Sequence, residues 1–155
     1  IEHPAIYFKK ASDPGSTASD EVKANADPMF FATRYDWLRI AKTVMDDYQN
    51  NTCVGKYLKE IYDRRISKGA KEFENEPGFN KTHSYGGQFH LVYPGIKNKI
   101  VFGMGGRGGQ AVLIDMEDSR IIVVNSVHYN KGRYKYNVKK LLINPIKHGK
   151  KSFEK

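Results

Sequence analysis

Two apolar runs, Lys99-Ile100-Val101-Phe102 and Ala111-Val112-Leu113-Ile114, flank the stretch Phe102-Gly103-Met104-Gly105-Gly106-Arg107-Gly108-Gly109-Gln110. Five of the seven residues from 103 to 109 are glycine. Glycine within β-structure gives up side-chain packing and adds conformational entropy to the unfolded chain. It is therefore used at a bulge, at a bend, or where another backbone must come close. Set between strands, the pattern predicts a ligand groove, a sharp strand crossing or a hairpin connection. Residues Gly103 to Gly108 also satisfy GxGxxG. In dinucleotide folds such glycines open a helix whose N-terminus holds pyrophosphate. Here the following residues are apolar and β-branched with no helical period, so nucleotide binding is not expected.

The chain of 155 residues is long enough for one domain with a real core, and its apolar fraction of 39% supports folding. Lysine and arginine number 26 against 17 acidic residues, giving a net charge of +9. That favours anionic partners in general but says nothing of fold. The lysines are dispersed apart from the region Lys131 to Lys140 and the tail, and most read as solvated faces. A single cysteine, Cys53, excludes an internal disulfide and a multi-cysteine zinc site, and it is expected to be passive and partly buried. The five histidines show no HxxxH or HxxE spacing, so neither a metal site nor a cofactor is expected. No run approaches the roughly 20 apolar residues of a membrane span, and a membrane partner is not expected.

In chain order, residues 1 to 28 read as an irregular N-terminal segment of a single domain spanning 1–155. A helix follows at about 34–48. Thr33 is the expected N-cap, with Asp36 as an acidic variant of the capping box. Trp37, Ala41, Val44 and Tyr48, joined by Leu38 and Met45, form its apolar stripe, and Asn50-Asn51 ends it. A second helix is expected over Val54 to Ile66 with Tyr57, Leu58, Ile61 and Tyr62 facing inward. Four strands are expected: Tyr85 to Tyr93, Lys99 to Met104, Gly109 to Met116 and Arg120 to His128. Pro94-Gly95-Ile96-Lys97-Asn98 and Glu117-Asp118-Ser119 supply turns. Ala111 to Ile114 and Ile121 to Val124 are apolar on both sides, so the sheet should be covered on both faces. The first helix serves one face and a helix near Asn137 to Ile143 adds a further layer. The fold class is α+β: an antiparallel sheet of about three to five strands with helices packed on it.

Several of these pieces, in this order, resemble the β-lactamase/penicillin-binding-protein-like serine hydrolases, in particular their esterase and aminohexanoate-oligomer hydrolase branches. Ala32-Thr33-Arg34-Tyr35-Asp36-Trp37-Leu38-Arg39 is similar to the "ATxxDxxR" helix opening of that family. Tyr85-Gly86-Gly87-Gln88-Phe89 is similar to its first strand after the helices. Met104 to Gln110, followed by Ile114-Asp115 and by Ile121-Ile122-Val123-Val124, is similar to its glycine-rich strand pair. The likeness covers residues 29 to 128.

The resemblance implies a partial β-lactamase/transpeptidase-like fold and acyl transfer through a serine. In the family an SxxK serine attacks a carbonyl, the lysine takes its proton, and a [YS]xN motif assists. A KTG or HxG strand completes the oxyanion hole. Met104-Gly105-Gly106 falls in that last slot, with the Arg107 N–H as the implied donor, and Met104 lacks the charge of the usual lysine or histidine. The only SxxK, Ser152-Phe153-Glu154-Lys155, closes the chain, and Tyr48-Gln49-Asn50 matches [YS]xN but ends the first helix. No catalytic residue is therefore assigned. The expectation is a C-terminal portion of a longer hydrolase for esters or amides, inactive alone. Its partners are the missing N-terminal part or a second copy in a homo-oligomer; family members are commonly exported, which the resemblance leaves open for the parent, and the residues themselves fix no compartment. The alternative is a non-enzymatic basic module for nucleic acid or another anion. It rests on Lys131, Arg133, Lys135, Lys139 and Lys140 interleaved with Tyr129, Tyr134 and Tyr136; nucleic acid is the less favoured partner.

Overall fold

The computed structural model describes residues 6–9, 29–70, 82–105, 110–124 and 139–149. The chain divides into two compact units, Ile1–Trp37 and Leu38–Lys155, with the boundary in the first turn of a helix. In the first unit, β1 (Ile6–Lys9) pairs antiparallel with β2 (Met29–Ala32), in a register running from Ile6↔Ala32 to Lys9↔Met29. A strand thus lies within the segment read as irregular. Helix α1 (Arg34–Gln49) follows at once. Thr33 caps it as expected: its Oγ1 accepts from the Asp36 N–H at 3.2 Å and donates to the Asp36 carboxylate, and its carbonyl accepts from Trp37 at 2.9 Å. One orphan donor of the first turn, the Asp36 N–H, is satisfied by the Thr33 side chain.

The second unit holds a six-stranded antiparallel sheet in which every strand pairs with its sequence neighbour. Its strands are β3 (Ile66–Ser67), β4 (Ser84–Gly86), β5 (Phe89–Leu91), β6 (Val101–Gly105), β7 (Ala111–Asp115) and β8 (Arg120–Val124). With its helices this is an α+β fold, and the sheet has more strands than the three to five expected. Two corrections account for the difference. The run Tyr85 to Tyr93, expected as one strand, is a hairpin: Gly87 (φ 53°) and Gln88 (φ 70°) both take the left-handed conformation and form a tight two-residue turn. The second helix, α2 (Cys53–Asp63), stops before Ile66, which instead pairs with Tyr85 as part of β3.

Asn51, at φ 54°, ends α1, and Thr52 caps α2 by accepting from the Gly55 N–H at 3.1 Å. On α2, Leu58 is buried, whereas Tyr57 is 65% exposed and not inward-facing as expected. Leu38 on α1 is likewise exposed, while Ala41 and Met45 are buried. In both helices the misassigned residue flanks the true stripe, which is narrower than the run of apolar letters.

The β6–β7 register runs from Val101↔Asp115 to Gly105↔Ala111. Strand alternation therefore puts Phe102, Met104, Val112 and Ile114 on one face and Val101, Gly103, Ala111 and Leu113 on the other. On the first face Phe102 is fully buried, its ring centroid 6.2 Å from that of Tyr48 in α1, 6.0 Å from Tyr62 in α2 and 5.0 Å from Phe89. On the second face Val101, Ala111 and Leu113 join Tyr93, Ile96, Leu142, Ile143 and Ile146 in one apolar cluster. The last three residues belong to a π-type turn (Lys139–Ile143) that runs into α3 (Asn144–His148). The sheet is thus covered on both sides, as its doubly apolar strands require.

Candidate functional site

The glycine-rich strand enters the sheet as β6. Gly103 is buried, opposite His90 on β5 and Leu113 on β7. Met104 is half-buried opposite Val112, and Gly105 is exposed opposite Ala111. Gly106 and Arg107, the implied glycine and oxyanion donor, lie outside the described residues, as do Ser152 to Lys155.

The two neighbours of β6 differ in length. Pairing with β7 continues to Gly105, but among the described residues the register with β5 ends at His90↔Gly103. β5 begins at Phe89 and leaves through the Gly87–Gln88 turn. The flank of β6 at Gly105 therefore runs past the β5 ladder. The turn itself is held tightly: a Cβ on Gly87 would meet the Ile61 side chain of α2 at 2.6 Å, and one on Gly86 would meet the Ile61 carbonyl oxygen at 3.1 Å. Glycine lets α2 press on the hairpin and fixes where β5 begins.

Tyr48-Gln49-Asn50 is used structurally. The Tyr48 ring packs near Phe102, with the Lys59 ammonium 5.1 Å from its centroid. Burial pushes the Tyr48 phenol above its ordinary pKa, with the charges of Glu117 and Asp63 and the nearby Tyr62 adding to it. Gln49 Nε2 donates to the Met116 carbonyl and to Ser119 Oγ, both at 2.9 Å, tying the end of α1 to the β7–β8 turn. Cys53 is exposed at the first position of α2 rather than partly buried.

A charge cluster that sequence reasoning missed lies at the same end of the sheet. Asp115, fully buried, accepts at Oδ1 from the N–H groups of Glu117 (3.2 Å) and Asp118 (3.0 Å) and at Oδ2 from Lys99 Nζ (2.9 Å). Lys99 also bonds Asp118, and Arg120 NH1 lies 3.4 Å from Asp118 while donating to the Ile146 carbonyl of α3 at 2.8 Å. Burial pulls the Lys99 ammonium down, but the hydrogen bonds and charges of Asp118 and Asp115 outweigh it, and its pKa is raised. Lys99 is therefore not one of the solvated lysines.

Among the described residues no group of three or more histidine, cysteine, aspartate or glutamate side chains is arranged to hold a metal ion. No described helix is long and apolar enough to cross a membrane. The fold defines the chain as an α+β protein built on an antiparallel meander. No family model, curated protein or solved structure matches it.

Proposed function

We propose that the chain is the C-terminal part of a β-lactamase-like serine hydrolase acting on an ester or amide, and that β6 is the strand against which the substrate acyl group rests. The observation that carries this reading is the unequal pairing of β6, whose Gly105 runs past the β5 ladder and is exposed. A substrate carbonyl can approach backbone amides closely only where no side chain stands over the strand, and glycine supplies that. The capped opening of α1 at Thr33 and Asp36 and the two-sided cover of the sheet are in keeping with the same reading.

In this scheme a serine contributed by polypeptide outside the 155 residues attacks the carbonyl carbon, and the neighbouring lysine accepts its proton. By the resemblance, the serine N–H and the Arg107 N–H are the donors that hold the oxyanion that forms. The leaving group departs with a proton, and water then hydrolyses the acyl-enzyme. Tyr48-Gln49-Asn50 takes no part, since the Tyr48 ring packs beside the buried Phe102. Met104 supplies no charge, which favours neutral esters and amides over substrates anchored by a carboxylate.

The coding sequence upstream of Ile1 tests this. An in-frame SxxK followed by [YS]xN is expected, and the joined protein should be labelled at that serine by a fluorophosphonate and turn over p-nitrophenyl acetate. The 155-residue chain alone should do neither. An upstream frame without SxxK, or turnover by the isolated chain that survives Ser152→Ala, removes the basis of the proposal.

A further inference from the structure

Among the described residues, the two outer strands of the sheet are β3 and β8, and they are built differently. β3 at one end is two residues long and is followed directly by Lys68, which limits what can pair with it. β8 at the other end is five residues long, Arg120-Ile121-Ile122-Val123-Val124, with four β-branched apolar residues in a row and no proline, glycine or lysine. Natural edges are blunted by charges, prolines, bulges or brevity, and β8 has only Arg120.

That one charge is neutralised within its own chain: Arg120 NH1 lies 3.4 Å from Asp118, 4.0 Å from Asp115, and donates to the Ile146 carbonyl. A strand paired with β8 thus need not bring a counter-ion. The strand that suits it best is neutral, β-branched along its length and charged only at the far end. β8 itself has this character when turned antiparallel. Centred on Ile122, such a pair sets Ile122 opposite Ile122, Ile121 opposite Val123, and Arg120 opposite Val124. The two arginines then stand about 14 Å apart along the strands, beyond the roughly 8 Å Debye length of physiological salt. Parallel pairing would set them side by side.

We propose that β8 is a self-association edge, joining two copies of this chain through an antiparallel, two-fold β8–β8 ladder that makes one continuous sheet. A closed two-fold contact uses the edge once and stops at the dimer. The inference is independent of the hydrolase reading.

Light scattering coupled to size exclusion over a wide concentration range should give a mass approaching twice the 17.7 kDa of the chain. Backbone N–H groups alternate in direction along a strand, so one of Ile121 and Ile122 directs its N–H toward β7 and the other toward the edge. Of Ile121→Pro and Ile122→Pro, one is expected to be a folded monomer with unchanged far-ultraviolet circular dichroism, and the other destabilised. Among residues 121 to 124, the amides directed toward the edge should exchange faster on dilution of the wild-type chain. A monomer at every concentration overturns the proposal, even with these amides protected, since the chain would then cover its own edge. Open-ended assemblies, or dimers that persist in both proline variants, overturn it as well.

Discussion

Gly55 of α2 lies so close to the Asp47 carbonyl of α1 that a Cβ at position 55 would stand 1.9 Å from the carbonyl oxygen. The two helices meet here backbone to backbone, with Thr52 Oγ1 donating to Asp47 Oδ1 at 2.7 Å across the same corner. Backbone cannot swing aside as a flexible side chain can. Gly55→Ala should therefore force the helices apart and lower stability by about 2–3 kcal/mol in urea denaturation. Gly69, with nothing within 4 Å of its added Cβ, is the control, and Gly69→Ala should change stability by no more than about 0.5 kcal/mol. Equal effects at the two positions would refute the corner as a close contact.

Asp115 and Lys99 form a pair in which the carboxylate has no exposure and the ammonium little. Replacing Lys99 by methionine leaves Asp115 with its two backbone donors and a guanidinium at 4.0 Å. Loss of one partner of a buried pair destabilises by about 3 kcal/mol. Lys99→Met should show a loss of this order, and adding Asp115→Asn should recover part of it. A double-mutant cycle in urea checks the coupling, and strictly additive losses would mean that the two side chains do not act together.

The same lysine sets an alkaline limit. Lys99 and Tyr48 both have raised pKa values in the folded chain, so the native state retains protons that the unfolded chain releases. Their contributions are complete below about pH 10 and are lost as pH rises through the folded-state values. The urea midpoint should therefore fall as pH rises above about 10, and fall less steeply in Lys99→Met. A wild-type midpoint that holds steady or rises through that range would contradict both assignments.

Phe102 is the other residue on which the second unit depends, since its buried ring meets Tyr48, Tyr62 and Phe89. Phe102→Ala should destabilise by about 3–5 kcal/mol, and Phe102→Leu by clearly less, because it refills much of the space. Calorimetric melting distinguishes the two, and a near-neutral Phe102→Ala would mean that α1 and α2 do not rest on this face.

What could be read in advance follows from range. Thr33 and Asp36 are three residues apart, and their capping pattern is local chemistry, so the start of α1 was legible. Asn51 and the Pro94-Gly95 turn were legible for the same reason. The doubly apolar β7 and β8 correctly required cover on two faces. The Gly87–Gln88 turn was hidden because Gln88 is an unusual residue for a left-handed position. The end of α2 was misplaced because Ile66 continues an apolar run although it belongs to a strand. Lys99 was unreadable, since its partners lie 16 and 19 residues away and nothing local marks a lysine as enclosed. Of the proposed site, Met104 was expected as the last residue of its strand, and β6 runs one residue further, to Gly105. That β5 stops short beside them depends on tertiary packing against Ile61.

The unbroken neighbour-to-neighbour order of the sheet bears on how the chain reaches its fold. From β4 onward each ladder can zip from its own connecting loop, so little loop-closure entropy has to be surmounted before contacts begin to form. Refolding monitored by stopped flow should accordingly be quick for a β-rich chain, with the hairpins gained early and the seating of α1 and α2 on Phe102 completing the process. Such a meander can also be assembled strand by strand as it leaves the ribosome, without waiting for a distant segment to arrive.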